Sequence, residues 1–82
     1  MADKLIELLY ENNVRCDIGI ESLAEDIRSI FSNECISKLE IVRILQKAYA
    51  EGRIQARDGL VSVLDDINAA KGVIVKEAEN DT

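Results

Sequence analysis

The chain has 82 residues, which is enough for one domain but not for two. Its formal net charge is −6, and an acidic surface is repelled by nucleic acids and anionic membranes at long range. The opening residues carry charge and no long apolar stretch follows. We therefore expect neither a signal peptide nor a membrane span, and a cytoplasmic location.

The sequence lacks the residues of the common catalytic and metal sites. It has no histidine, and its two cysteines, Cys16 and Cys35, are too few for a zinc site or a disulfide framework. The carboxylate pairs Glu25–Asp26 and Asp65–Asp66 would point about 100° apart on a helix, so neither pair converges. We expect a non-enzymatic protein with no metal and no cofactor. Both cysteines should be small buried side chains, although a reactive Cys35 at the start of a helix remains open.

The first element is a predicted helix that Asp3 can cap. Leu5, Leu8 and Leu9 fall at the i, i+3 and i+4 positions of one apolar face. Asn12–Asn13 should end the helix, because asparagine tolerates the left-handed conformation. Apolar and polar residues then alternate over Val14–Ile20, which predicts a short, half-buried strand.

A second helix is predicted over Glu21–Phe31, followed by a turn at residues 32–34. Ser37 and Glu40 have the spacing of a capping box and should begin a third helix that runs to about Glu51. Gly52 stands where a glycine commonly ends a helix.

Residues 53–64 allow two interpretations. Either Asp58 caps a fourth helix that stops at Gly72, or Asp58–Gly59 is the tip of a β-hairpin. We favour the helix, because the apolar spacing continues to Ile67. The β-branched residues Val73–Val75 should be extended. The domain should span residues 1–75, and the acidic tail over residues 76–82 should fray.

These elements predict a mainly α fold, a compact bundle of about four short helices with one or two short extended segments. The function expected from the charge is regulatory or adaptor binding to another protein with a basic surface, including inhibition by a nucleic-acid-like acidic face. Exposed apolar residues, among them Tyr10, Tyr49 and Val73–Val75, should add binding energy, and the small core favours a homo-oligomer. The predicted partner-binding residues are Glu7, Glu11, Glu21, Glu25 and Asp26.

The alternative rests on a resemblance in the order of elements. A helix, a short strand, two helices and a hairpin tipped by Asp58–Gly59 would look like a winged-helix DNA-binding domain with an α+β fold. The resemblance implies a transcriptional regulator whose third helix reads the major groove and whose hairpin touches the backbone. Its nucleic-acid-binding residues would come from a locally basic stretch, namely Lys38, Arg43, Gln46, Lys47, Arg53 and Arg57. The simpler interpretation is a solvated charged face with Lys47 and Glu51 paired.

Overall fold

The computed structural model of the chain describes residues 4–30 and 36–80, and for residues 74–80 it describes the backbone alone. The described residues form four α-helices and one short 3-10 helix, and they contain no β-strand. The predicted mainly α fold is therefore confirmed. The elements are α1 (Lys4–Glu11), α2 (Ile20–Ile30), α3 (Lys38–Ala50), the 3-10 turn (Arg53–Gln55) and α4 (Arg57–Asn80).

Three of the predicted features lie outside the described residues. They are the cap at Asp3, the last residue of the second helix, Phe31, and the turn at residues 32–34. Cys35 also lies outside them, so the two predictions for its thiol stay predictions.

Helix α1 ends at the two asparagines, as predicted. Asn13 has a φ of 58°, the left-handed conformation that asparagine tolerates. The amide of Val14 donates to the carbonyl of Leu9, and the amide of Asn13 donates to the carbonyl of Tyr10, both at 3.1 Å. This pair of bonds is a Schellman motif, and it turns Val14 back into the core, where it is buried.

The strand predicted over Val14–Ile20 is wrong. The segment is an irregular connection with a turn at Asp17 and Ile18. The alternation in its sequence still describes burial, since Val14 and Ile20 are buried while Arg15, Asp17 and Gly19 are exposed. A strand also needs a partner for its backbone. Val73–Val75, the other segment predicted to be extended, is helical and provides none.

The third helix begins after Ser37, the predicted N-cap, but only one of the two bonds of the capping box forms. The hydroxyl of Ser37 accepts a hydrogen bond from the amide of Glu40 at 3.2 Å, while the carboxylate of Glu40 pairs with Arg43. The helix ends at Ala50, and Gly52 follows with a φ of 79°, a conformation that favours glycine.

Residues 53–64 form the 3-10 turn and the start of α4, so the hairpin is wrong and the winged-helix α+β alternative fails in this region. The amide of Leu60 donates to the carbonyl of Ala56 at 3.1 Å, and α4 begins at Arg57. Asp58 therefore lies inside the first turn of α4, two positions after Ala56, where the cap would stand. The helical interpretation of the region through Ile67 is confirmed.

The structure explains the glycine at position 59 differently from the hairpin turn that Asp58–Gly59 suggested in the sequence. A Cβ atom built on it would lie 1.5 Å from the carbonyl oxygen of Arg53. The backbones of the 3-10 turn and α4 thus touch directly at this position. Glycine stands here because a side chain does not fit, and not because a hairpin turn requires it.

The extended conformation predicted for Val73–Val75 is wrong, and Gly72 does not stop the helix. α4 runs through both to Asn80. Within a helix, glycine costs about 1 kcal/mol and valine a few tenths relative to alanine, which weakens a helix without ending it. At about 36 Å for its 24 residues, α4 is nearly as long as the 40 Å longest dimension of the molecule. The domain limit at residue 75 and the frayed tail stay predictions.

The helices pack in a ring around one core. In the described part of the chain α1 contacts α2 and α3, and α4 contacts the same two helices, so α1 and α4 lie on opposite sides. The 3-10 turn fills the corner between α3 and α4. The buried core residues are Leu5, Leu9, Val14, Ile20, Leu23, Ala24, Ile27, Ile36, Ile41, Val42, Leu45, Ala48, Ile54, Leu60, Val63 and Ile67.

Two side-chain bonds tie neighbouring helices at their ends. The amide of Gln46 on α3 donates to the side-chain oxygen of Asn12 at 3.0 Å, just beyond α1. The ammonium of Lys71 on α4 donates to the carbonyl of Ile30 at 2.9 Å, at the end of α2. Within the described ranges, none of the helices combines the length and the apolar character that crossing a bilayer would need.

Candidate functional site

The predicted partner-binding residues lie on α1 and α2, two helices that pack against each other. We call them the acidic face: Glu7, Glu11, Glu21, Glu25 and Asp26. The four glutamates are exposed and Asp26 is half-buried. On each helix the two glutamates are four residues apart and therefore lie on one side of it. The structure thus gives each helix a pair of carboxylates directed to solvent.

The carboxylates of the acidic face form no ion pair with another described residue. The ion pairs that the described residues form among themselves use the acids Glu40, Glu51 and Asp66, all in the second half of the chain. Residues 1–33 carry a net charge of −4, from seven acidic and three basic residues. The part of the chain that contains α1, α2 and the connection between them therefore carries −4 of the total net charge of −6.

Arg53, one of the six residues in the nucleic-acid alternative, is held by two carboxylates. Its guanidinium donates to Asp66 on α4 and, at 2.9 Å, to Glu51 at the end of α3. The hydrogen bonds to Asp66 and Glu51 raise the pKa of Arg53 above its usual range. Its Nε atom is buried without a hydrogen-bond partner in the described structure. Arg53 thus joins the 3-10 turn to both helices beside it.

The other five members of that basic set differ in whether they bond to another described residue. Arg43 pairs with Glu40 at 2.8 Å, and Gln46 bonds to Asn12. All five side chains are exposed, and Lys38, Lys47 and Arg57 form no ion pair with another described residue. Glu51, the predicted partner of Lys47, instead bonds Arg53.

Sequence analysis missed two surface grooves that meet at Arg15 and Cys16. The first, of about 480 Å³, lies between the end of α1 and the start of α2, and the second, of about 340 Å³, lies beside the end of α3 and the 3-10 turn. Tyr10 lines the first groove and Tyr49 the second. Both tyrosines were predicted to supply binding energy, but only the fold could place them on either side of one connection.

Cys16 lies where the two grooves meet. It is a half-buried free thiol whose Sγ donates to the Oδ1 of Asp17 at 3.7 Å. Burial raises the pKa of the Cys16 thiol most, and the negative charges of Asp17 and Asp26 raise it further. A thiol with a raised pKa is a poor nucleophile at neutral pH. Cys16 was predicted to be buried, and the structure places it half-buried.

The described residues contain no group of three potential metal ligands close enough to hold an ion. The predicted lack of an enzymatic activity and of a cofactor stays a prediction. The geometry defines a small helical domain with an acidic face and two grooves beside it. Comparison with protein-family models, curated proteins and solved structures found no match.

Proposed function

We propose that this protein is a regulatory or adaptor protein that binds another protein through its acidic face. The observation that carries the proposal is the exposure of four glutamates on two adjacent helices, none of them paired with another described residue. Charged side chains that form ion pairs within the protein attract a partner only weakly. Surface carboxylates without such a pair attract a basic surface and orient it. The expected partner is a protein that presents lysine and arginine side chains.

The proposal includes inhibition of a nucleic-acid-binding protein. Carboxylates directed outward from two neighbouring helices can occupy the lysines and arginines that would otherwise contact phosphates. In this form of the proposal, duplex DNA and the protein compete for the same partner. Increasing duplex DNA should then release the captured partner.

The nucleic-acid alternative receives less support from the described residues. Arg43, Gln46 and Arg53 make bonds within the molecule, and the hairpin that would contact a DNA backbone is helical. We therefore place protein binding first. The predicted cytoplasmic location is part of this proposal.

Self-association is also part of the proposal. Val61 and Val73 on α4 are 58% and 57% exposed, and apolar side chains in water can gain from a second copy of a small domain. Sedimentation equilibrium over a wide concentration range should show a dimer. A single monomer mass at every concentration would contradict this part.

The test of the acidic face compares two variants with the same net charge. One carries Glu21→Lys and Glu25→Lys on α2, and the other carries Asp58→Lys and Asp65→Lys on α4, where both carboxylates are exposed. Each variant changes the charge by +4, from −6 to −2. Circular dichroism first establishes that both remain helical.

Both variants and the original chain are then used to capture partners from the native cell, with quantitative mass spectrometry as the readout. The partner should be lost with the α2 variant and kept with the α4 variant. Equal loss with both variants would mean that only the total charge matters. Equal capture by all three proteins would show that the acidic face is not the binding surface.

A further inference from the structure

The packed part of α4 reaches as far as Lys71. The ammonium of Lys71 donates to the carbonyl of Ile30 at 2.9 Å and so ties α4 to the end of α2. Four residues earlier, Ile67 is the last fully buried side chain that the structure describes in α4. Ala70 lies between them and still packs partly against the core.

The two positions that follow Lys71 are not packed against the core. Gly72 is exposed and has nothing within 4 Å of a Cβ built on it, and the side chain of Val73 is 57% exposed. The helical backbone nevertheless continues to Asn80, which lies about 14 Å past Lys71 along the helix. This end of α4 therefore begins with two residues that the core does not hold.

The sequence of this end favours a helix only weakly. Gly72 and the β-branched residues Val73–Val75 all have lower helix propensities than alanine. The last turn carries no basic residue, and Glu77 and Glu79 lie near the C-terminus of the helix, where the macrodipole disfavours negative charge. Isolated helices shorter than about 12 residues are marginal in water even with better sequences. Residues 72–80 therefore depend on the packed part of α4 for their helical conformation.

We propose that residues 72–80 are a hinged end of α4, which opens and closes while the four-helix core stays folded, and that Lys71 is its boundary. Local openings of this kind need far less free energy than global unfolding, and the segments that change conformation on binding come from such regions. The proposal places the limit of the stably folded part at Lys71 rather than at residue 75. It does not depend on the acidic face, and it gives the domain one end that a bound molecule can order or release without unfolding the core.

Native-state hydrogen exchange, followed by NMR, tests the hinged end amide by amide. The full chain is measured at a concentration at which sedimentation gives a monomer mass, so that self-association does not contribute to the protection. Relative to their intrinsic rates, the amides of residues 73–80 should exchange at least roughly a hundredfold faster than those of Val63–Ile67 in the same helix. Similar protection along the whole of α4 would overturn the proposal.

Lys71→Met tests the boundary. It removes the ammonium that bonds the carbonyl of Ile30 and keeps an unbranched side chain of similar helix propensity. The opening should then extend toward the core, so the protection of the amides at residues 70–72 should fall roughly tenfold. The control is Lys47→Met, because Lys47 is exposed on α3 and forms no ion pair with another described residue. It should leave these amides unchanged, whereas unchanged protection with Lys71→Met would refute Lys71 as the boundary.

Gly72→Ala tests the cause of the opening. Alanine favours the helix more than glycine does, and a Cβ at this position meets nothing within 4 Å, so the protection of residues 73–80 should rise roughly fivefold. The control Ser62→Ala makes an exposed substitution in the packed part of α4 and should leave the ratio of protection between residues 73–80 and Val63–Ile67 unchanged. If Gly72→Ala left residues 73–80 as they were, weak helix propensity would not be what opens this end, and the proposal would fail.

Discussion

Gly59 is the residue whose replacement should be tolerated least. Its backbone lies against the carbonyl of Arg53, and the 1.5 Å left for a Cβ atom is far below any van der Waals contact. Gly59→Ala must therefore separate α4 from the 3-10 turn. We expect a loss of about 3 kcal/mol in the free energy of unfolding, at the upper end for overpacking, measured by urea denaturation.

Gly72 provides the matched control in the same helix. Nothing lies within 4 Å of a Cβ built there, so Gly72→Ala should stabilise α4 by about 0.5–1 kcal/mol through helix propensity alone. If both substitutions changed the free energy of unfolding in the same direction, the close backbone contact at Gly59 would be refuted.

Cys16 should react more slowly with iodoacetamide than an unperturbed thiol. Burial and the two neighbouring aspartates raise its pKa, so its thiolate forms only at higher pH. Because the pKa of Cys16 is higher in the folded than in the unfolded state, the protonated thiol favours the folded state. This contribution to the free energy of unfolding is complete below the unfolded-state pKa and is lost as pH rises through the folded-state pKa. The pH profile of alkylation, measured in a Cys35→Ser background, should therefore be displaced to higher pH.

Asp17 makes this prediction specific. Asp17→Asn removes a negative charge that raises the pKa of Cys16, so its alkylation profile should move back toward lower pH. Asp65→Asn, on exposed α4, should leave the profile unchanged. Identical profiles for the two variants would refute the assigned contribution of Asp17.

At the scale of the elements, the cap of α3 can be tested directly. Ser37→Ala removes the acceptor for the amide of Glu40 and should cost about 1 kcal/mol, as for other N-cap residues. Ser62→Ala, at an exposed position inside α4, should instead be neutral or slightly stabilising. Thermal unfolding of both variants gives the comparison, and an unchanged Tm for Ser37→Ala would contradict the cap.

The elements also show what sequence patterns could and could not predict. Local signals were sufficient where one helix end depends on its own residues, as at Asn13, Ser37 and Gly52. They failed at Val14–Ile20, where a Schellman motif and the start of α2 produce the alternating burial that a strand would show. They failed again at Val73–Val75, because β-branched residues lower helix propensity only slightly.

The two grooves that meet at Arg15 and Cys16 could not be predicted from the sequence, for a different reason. Tyr10 and Tyr49 are far apart in the chain, and each looks like an ordinary edge residue of its own helix. Their positions beside Arg15 and Cys16 follow from the way α1 packs on α3. The acidic face could be predicted because charge on a helix surface needs no tertiary contact. Whether it binds a partner stays a proposal.

At the scale of the whole molecule, stability depends on one core around α3. Leu45 is fully buried and Leu39, in the same helix, is 51% exposed. Leu45→Ala should cost about 3 kcal/mol, within the range for buried leucines, which is a large share of the 5–15 kcal/mol typical of a domain. Leu39→Ala should cost less than about 0.5 kcal/mol. Urea denaturation of both variants tests the prediction, and similar losses would mean that the core is misplaced.

The ring of helices has a consequence for how the chain folds. α3, the 3-10 turn and α4 follow one another in the sequence and pack on one another, so their contacts close only short loops. The contacts of α1 with α3 and of α2 with α4 close longer ones and cost more entropy before they form. We expect residues 38–67 to form the folding nucleus and α1 and α2 to dock after the transition state. The acidic face would then be assembled last, and a partner that binds it would slow unfolding by holding the ring closed.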